Sequence, residues 1–362
     1  MECAAPDDFT PAAAVHHKPR MSHTWDGLPV AQDRPRGAMV VVRRPGQTTG
    51  PGQTGGPGQT GGPGPAEYLM LHRAHRGLDY EGDWAWTPPS GARLPGEPVL
   101  AGARRELVEE AGLTAVSLIP VDLSGGWAVF AADVPAGTEA RLDPEHDKLA
   151  WLPRADAERR CRPDVVRANF RQSAAVCRAA ISFRPLTRSD LPDLVAWQHS
   201  PHVVGWFPEL LDLAAAERKY GPRIDGTSAT AVHVLLIDGR ASGFLQNYHL
   251  RDYPDYRAAC GGIDAIGIDY AIGLAGLTGR GLGPQMIWSY LRQVVFGRWP
   301  GVPLIAASPE VANRRSLRAL AKAGFGPAGQ ITGDHEGRPE LLCTLDRDRV
   351  FGPIGELEPG AG

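Results

Sequence analysis

The chain is short of cysteine, of lysine and of long apolar runs, and each shortage excludes something. Its five cysteines (Cys3, Cys161, Cys177, Cys260 and Cys343) are odd in number and scattered without paired spacing. That pattern argues against a disulfide framework and against a cysteine-based zinc site. No apolar run approaches the roughly 18 residues of a spanning helix. The N-terminal stretch MECAAPDDFTPAAAV has neither the basic nor the apolar region of a secretory signal. These absences predict a soluble, cytoplasmic protein. Lysine occurs only at positions 18, 148, 219 and 322, so arginine carries most of the 38 basic charges set against 41 acidic ones. Residues 1–180 hold 20 basic and 22 acidic side chains, and residues 181–362 hold 18 and 19. Neither half has the basic surplus of a phosphate-tracking surface, so the expected partners are small molecules, with no nucleic acid and no membrane.

Glycine and proline are abundant instead, at 44 and 33 of 362 residues, and residues 45–65 alone hold nine Gly and five Pro. That stretch repeats PGQTTG, PGQTGG, PGQTGG and PGP. The repeat is too short for a solenoid and lacks the strict third-residue glycine of collagen. It lies between two strand-like runs, AMVVVRR (38–44) and EYLMLHRA (67–74), and reads as a low-complexity insertion within one domain. At roughly 100–200 residues per domain, the length predicts two domains, each with a core of its own. The expected boundaries are a disordered N-terminus over 1–36, a first domain over 37–179, a second over 180–350 and a tail over 351–362.

The first chemical pattern runs from Gly91 to Leu113, GARLPGEPVLAGARRELVEEAGL. Residues 98–111 read as a helix that Gly112 ends. At about 100° per residue, Glu106, Glu109 and Glu110 fall on one face, predicted to be exposed. Leu100, Ala101, Leu107, Val108 and Ala111 take the side that can pack on a sheet. Three carboxylates on one face repel one another unless a cation neutralises them. A hard divalent ion such as Mg²⁺ or Mn²⁺ suits that need, and such chemistry points to pyrophosphate hydrolysis. The spacing of Gly91, Glu97, Arg105-Glu106-Leu107, Glu109-Glu110 and Gly112-Leu113 resembles the complete Nudix box. The resemblance covers about residues 36–178 and implies an α/β/α sandwich with a mixed sheet. It further implies that Glu106, Glu109 and Glu110 are metal ligands, that Glu106 also polarises water, and that Arg105 and Glu97 orient loop and helix. Glu145 in DPEHD is the candidate for a further carboxylate from a later loop.

The second pattern follows a strand-like run at 266–272 and reads Gly279-Arg280-Gly281-Leu282-Gly283-Pro284 before a helix. Such a turn lets backbone N–H groups approach an anion at a helix N-terminus. The order hairpin, strand, glycine turn, helix, strand, then Asn313 and a helix ending in Ala323-Gly324-Phe325 resembles the GNAT acetyltransferase fold over roughly 181–350. That resemblance implies an α/β fold with a mixed, mostly antiparallel sheet, and acetyl-CoA as cosubstrate held around Gly279, Arg280, Gly281, Leu282, Gly283 and Asn313. Within that family, GIDYAIGLAGLTGRGLG (267–283) is similar to the aminoglycoside 6'-N-acetyltransferases. The likeness implies Asp269 as the carboxylate that takes a proton from the amine, and antibiotic resistance as the outcome. Asp252, Asp255 and Asp264 add acidic charge on the preceding loop, attractive to a polycation. Trp197, Trp206 and Tyr248 suit a core or a ligand platform equally. Two departures stand out: Thr278 opens the glycine signature in place of Gln or Arg, and Leu320 stands where many relatives carry a tyrosine acid. The combined reading is a bifunctional enzyme, a Mg²⁺-dependent hydrolase of a nucleoside diphosphate-linked substrate joined to an N-acetyltransferase. Its alternatives are acylation of a siderophore-precursor amine or hydroxylamine, and a half that binds its ligand without turnover.

Loop length enters stability only logarithmically. Deleting residues 46–62 is therefore expected to change unfolding free energy by less than about 1 kcal/mol and to leave both activities intact. Loss of hydrolysis with unchanged denaturation curves would instead make the repeat part of the substrate site.

Overall fold

The run Ala38-Met39-Val40-Val41-Val42 is apolar at every position because its strand is covered on both faces. In the computed structural model, which describes residues 23–24, 27–46, 64–207, 212–332 and 338–353, that strand is the centre of the first sheet. The sheet comprises β1 (Gly37–Gly46), β2 (Gly64–Arg73), β3 (Trp86–Thr87) and β4 (Ser90–Ala92), followed by helix α1 (Val99–Ala111). It continues with β5 (Leu118–Asp122), β6 (Ala128–Asp133) and β7 (His146–Pro153), then helices α2 (Arg154–Arg160) and α3 (Asp164–Ala175). The strand order is β3-β2-β1-β6-β5, with β4 on β1 and β7 on β2, and only β1 and β6 are parallel. Met39, Val41, Tyr68 and Met70 pack under α2 and α3 against Ala157, Val166 and Phe170. Ala38, Val40, Val42, Leu69 and Leu71 face α1 on the other side. This is the expected α/β/α sandwich with a mixed sheet. Of the insertion expected over 45–65, residues 47–63 lie outside the described residues, and its two ends belong to β1 and β2.

The second half opens with β8 (Ile181–Pro185), α4 (Leu191–Gln198), α5 (Leu213–Ile224), β9 (Ala231–Ile237), β10 (Arg240–His249) and α6 (Pro254–Ala259). Next come β11 (Ile266–Ile272) and α7 (Leu282–Tyr290), which runs on through a π-helical stretch, Leu291–Val295, into α8 (Phe296–Arg298). Then follow β12 (Leu304–Ala307), α9 (Arg314–Ala323), β13 (Gly326–Thr332), β14 (Pro339–Asp346) and α10 (Arg347–Val350). The sheet order is β13-β14-β12-β11-β10-β9-β8, antiparallel throughout except for β11 beside β12. It is the mixed, mostly antiparallel sheet expected. Helices α5, α6 and α10 and strand β13 are additions to the sequence reading. Among the described residues no helix is long and apolar enough to cross a membrane.

The expectation of two separate cores needs correction. One apolar cluster contains the α1 face of the first sheet together with α7, α9 and one face of the second sheet. Strand β5 packs against both α7 and α9. Phe130 meets Trp288 edge-on at 5.6 Å between ring centroids, and Trp288 also meets Phe351 at 4.3 Å. The Leu123 N–H donates to the Lys322 carbonyl at 3.0 Å, at the end of α9. The physical reason is that α7 is apolar on too much of its circumference for one sheet to cover: Leu282, Met286, Ile287, Trp288 and Tyr290 are all buried. The termini depart from expectation too. Val30 and Ala31 are buried, the Ala31 N–H donates to the Arg93 carbonyl at 2.8 Å, and Arg93 forms an ion pair with Asp33 at 2.6 Å. Val30, Ala31 and Pro35 are thus packed inside the stretch expected to be loose, and Phe351 belongs to the core and not to a tail.

Because the ring of Phe130 is fully buried against the other half, Phe130→Ala is expected to cost about 3–5 kcal/mol. Calorimetry should show one cooperative transition in the parent and a lowered transition for the whole chain in the variant. Two independent transitions, with only the first shifted by the substitution, would contradict the shared core.

Candidate active sites

Helix α1 carries the first site, and β4 lies across the helix face that bears it. Glu106 and Glu110 are 8% and 4% exposed, whereas Glu109 stays in solvent. The predicted face is therefore real, but two of its three carboxylates are buried, and Val108, assigned to the sheet side, is 42% exposed. Gly91 in β4 permits the approach: a Cβ there would fall on the Glu106 carboxylate. The Ser90 N–H donates to Glu110 Oε2 at 2.7 Å. Arg105 is the hub. Its Nε donates to Glu97 Oε1 at 2.8 Å, its Nη2 to the Ala92 carbonyl at 2.8 Å, and its Nη1 to both Glu106 Oε1 and Glu109 Oε2 at 2.9 Å. Glu97 in turn accepts from the Leu94 N–H at 2.8 Å, so loop and helix are tied through one guanidinium.

Burial pushes the Glu106 carboxyl up to about 7 against the pull of Arg105, with the Glu109 and Glu145 charges adding to the rise. Burial raises Glu110 as well, opposed by the Ser90 N–H. On the far side stands His146, the first residue of β7, with Nδ1 2.7 Å from Asp143 Oδ1 and Nε2 4.0 Å from Glu110 Oε1. Among the described residues, no three His, Cys, Asp or Glu side chains converge closely enough to hold an ion as they stand. The Arg105 Nη1 group occupies the carboxylate oxygens that Glu106 and Glu109 would offer.

In the second half, β11 and β12 pair only at Ile266↔Ile305 and Gly267↔Ala306. Beyond that point β12 no longer covers the edge of β11, and a cavity of about 360 Å³ opens, with Ile268, Asp269 and Tyr270 in its wall. Asp269 sits opposite Gln246 of β10 and accepts from Gln246 Nε2 at 2.7 Å. Gln246 Oε1 accepts in turn from Arg223 Nη1 at 2.6 Å. Glu310 and Glu340 add two more carboxylates to the wall, with Trp206, Tyr248 and Tyr256 as aromatic surface. Gly279 and Gly281 both hold positive φ, 75° and 77°, which sharpens the turn into α7. Like any helix start, the first turn of α7 leaves N–H groups without intrahelical acceptors.

Residues 60–169 match the family model described as NUDIX domain, and residues 187–332 match that described as acetyltransferase (GNAT) domain. The chain joins a Nudix hydrolase domain to a GNAT acetyltransferase domain. Aminoglycoside N(6')-acetyltransferases type 1 from Klebsiella pneumoniae and Serratia marcescens are each 26% identical over 162 residues, covering 42% of this chain and 77% of theirs. A crystal structure of aminoglycoside acetyltransferase AAC(6')-Ib with coenzyme A is 24% identical, covering 47% of this chain and 96% of that one, at a TM-score of 0.40.

Within the Nudix domain the structure brings Glu106, Glu110 and His146 to one place, leaves Glu109 at the rim, and sets Glu145 beside His146. Sequence reasoning named Glu145 and passed over His146. The Asp143–His146 spacing of three was the available signal, but DPEHD offers four polar side chains that spacing alone does not rank. Within the GNAT domain, Asp269 is on the cavity wall. Asn313 lines it too, and its Oδ1 caps α9 by accepting from the Ser316 N–H at 3.1 Å. Trp206 and Tyr248 line the cavity, while Trp197 is a core residue. Asp252, Asp255 and Asp264 are not in the wall; Glu310 and Glu340, which strand periodicity did not single out, are. Leu320 is fully buried in the shared core, so a tyrosine there would have no room to act as an acid.

A carboxyl raised from 4.5 to about 7 by folding keeps its proton in the folded chain over a range where the unfolded chain has lost it. In EDTA, the Glu106 contribution to stability is therefore present below about pH 4.5 and is lost as pH rises through about 7. Thermal melts from pH 5 to pH 8 (roughly that window) should show a smaller decline in Glu106→Gln than in the parent. Identical slopes would place the Glu106 carboxyl in water.

Proposed function

We propose that residues 37–179 hydrolyse a nucleoside diphosphate-linked substrate with Mg²⁺ or Mn²⁺, and that residues 180–350 acetylate an amine from acetyl-CoA. The amine of this reading belongs to an aminoglycoside, and the compartment is the cytoplasm.

For the hydrolase, the observation that carries the reading is the burial of Glu106 and Glu110 side by side. Two buried carboxylates whose charged forms are disfavoured by burial are a fit for a cation, and oxygen donors suit Mg²⁺ or Mn²⁺. Glu110 would hold the ion together with Glu106 and the rim residue Glu109, once Arg105 releases the oxygens of those two. A divalent ion bound there supplies charge neutralisation on the diphosphate and acidifies water. Arg105 and Glu97 keep the loop against the helix, and the Ser90 N–H keeps Glu110 turned inward.

For the transferase, the carrying observation is Asp269 on the cavity wall where β11 parts from β12. The turn Gly279–Gly283 at the start of α7 offers amide donors to a pyrophosphate. The amine nitrogen attacks the thioester carbonyl carbon, Asp269 takes the proton the nitrogen loses, and the carbon–sulfur bond breaks to release the CoA thiolate. Water or a cavity-wall group protonates that thiolate. Asp269, Glu310 and Glu340 favour a cationic substrate, and the aromatic wall suits the apolar faces of sugar rings. The relatives named aminoglycoside acetyltransferases support the same choice.

Asp269→Asn keeps shape and the Gln246 contact while removing the base. It is expected to lower kcat on amines by roughly 100-fold or more, with acetyl-CoA affinity within about 2-fold of the parent. Glu110→Gln should lower hydrolysis by roughly 100-fold and leave acetyl transfer unaffected. Thiol release from acetyl-CoA, followed by mass spectrometry of the acceptor, reads the first arm. Release with hydroxylamines and never with aminoglycosides would replace the substrate; hydrolysis that survives EDTA would remove the metal.

A further inference from the structure

We infer that His146, held by Asp143, is a nitrogen ligand for the divalent ion of the Nudix domain, placed opposite Glu110. The inference rests on the metal-dependent reading given above and deepens it.

His146 opens β7, where it lies opposite Arg73 of β2 in the strand register. Its side chain is completely buried. Nδ1 stands 2.7 Å from Asp143 Oδ1, so the N–H of the ring points to that carboxylate and the lone pair falls on Nε2. Nε2 is buried and has no hydrogen-bond partner among the described residues. The neighbour it faces, Glu110 Oε1, is 4.0 Å away, too far for a hydrogen bond. Two donor atoms that each stand about 2.1 Å from one ion are about 3 to 4.2 Å apart, depending on the angle between them. The Glu110–His146 gap lies within that span.

The alternatives for this gap are weaker. A direct hydrogen bond would need Nε2 and Glu110 Oε1 within about 3.5 Å, and they stand 4.0 Å apart. With Nδ1 turned to Asp143, Nε2 is left beside the Glu110 carboxyl with no hydrogen-bond partner among the described residues. A histidine whose second nitrogen is tied to a carboxylate is the arrangement that fixes tautomer and ring angle for ligation. Unlike Glu106 and Glu109, whose oxygens Arg105 engages, Glu110 and His146 need no partner exchange. They are the preformed part of the site. Asp143 is then a positioning residue, and an imidazole among oxygen donors shifts the preference from Mg²⁺ towards Mn²⁺.

The test uses the full chain loaded with Mn²⁺ and read by pulsed EPR, with and without ¹⁵N-histidine. Wild type is expected to show coupling to a directly bound histidine nitrogen, changed by the isotope and absent in His146→Gln. Asp143→Asn should weaken Mn²⁺ binding by about 10–100-fold, with the nitrogen coupling retained at saturation. Glu145→Gln should retain the coupling. Bound Mn²⁺ without nitrogen coupling in wild type overturns the inference and leaves the metal-dependent reading standing, whatever the variants do. Coupling that persists in a folded His146→Gln also overturns it. Wild type that binds no Mn²⁺ overturns both.

Discussion

The arrangement of the whole molecule depends on one apolar layer that neither sheet can bury alone. Helices α7 and α9 pack on the second sheet with one side and on β5 of the first with the other. At the seam, Phe130, Trp288 and Phe351 form a chain of ring contacts, and Trp288 Nε1 donates to the Ala323 carbonyl at 2.8 Å so that its one polar atom is not stranded. Polar ties frame the layer: Lys322 lies 3.7 Å from Asp122, and Arg349 donates to the Arg34 carbonyl at 2.7 Å. The exposed pairs add little by themselves. The area excluded from water sets the geometry, and the ties fix its register.

The two sites place their carboxylates by different means. In the Nudix domain a short strand is laid over a helix face, and the cost of burying two carboxylates is held down by a single guanidinium and one backbone N–H. Removing one partner from such a set leaves the other charge uncompensated. In the GNAT domain Asp269 is placed by strand register opposite Gln246. Asp269 faces Gln246, an uncharged donor, and the nearest guanidinium in that chain, Arg223, is spent on Gln246 Oε1. The Gln246 amide, held from its other side by Arg223, fixes the orientation of the Asp269 carboxylate.

Much of this was legible in residue order because short-range physics dictates it. Strands covered on both faces read as unbroken apolar runs, α1 stopped at the predicted residue before Gly112, and the glycine turn announced the start of α7. What was not legible depends on partners far away in sequence. Helix α5 contains Gly221 and Pro222, which spoil its propensity, yet it forms because Ala216 and Tyr220 are buried against α4 and β9. Strand β13 has only Ile331 buried and exists through its ladder with β14. The exposed acidic face was a correct periodicity with a wrong environment, since nothing in the helix reports that β4 will cross it. His146 escaped for the same reason: its importance comes from Glu110, 36 positions earlier in the numbering.

The junction between the halves also reaches the transferase site directly. The Cys177 N–H donates to the Arg280 carbonyl at 3.1 Å, and Gln285 Nε2 donates to the carbonyls of both Cys177 and Gly281 at 3.0 Å. A Cβ on Gly281 would meet Val176 at 3.0 Å, and the positive φ of Gly281 disfavours any side chain there in its own right. The outer side of the glycine turn is therefore filled by the segment that leaves the Nudix domain, and its carbonyls are engaged on that side. Turning the carbonyls outward leaves the amides to face the other way, which is the orientation an anion needs. The loop that is expected to hold a pyrophosphate is thus shaped in part by residues of the other domain, and that gives the shared apolar layer a bearing on binding as well as on stability.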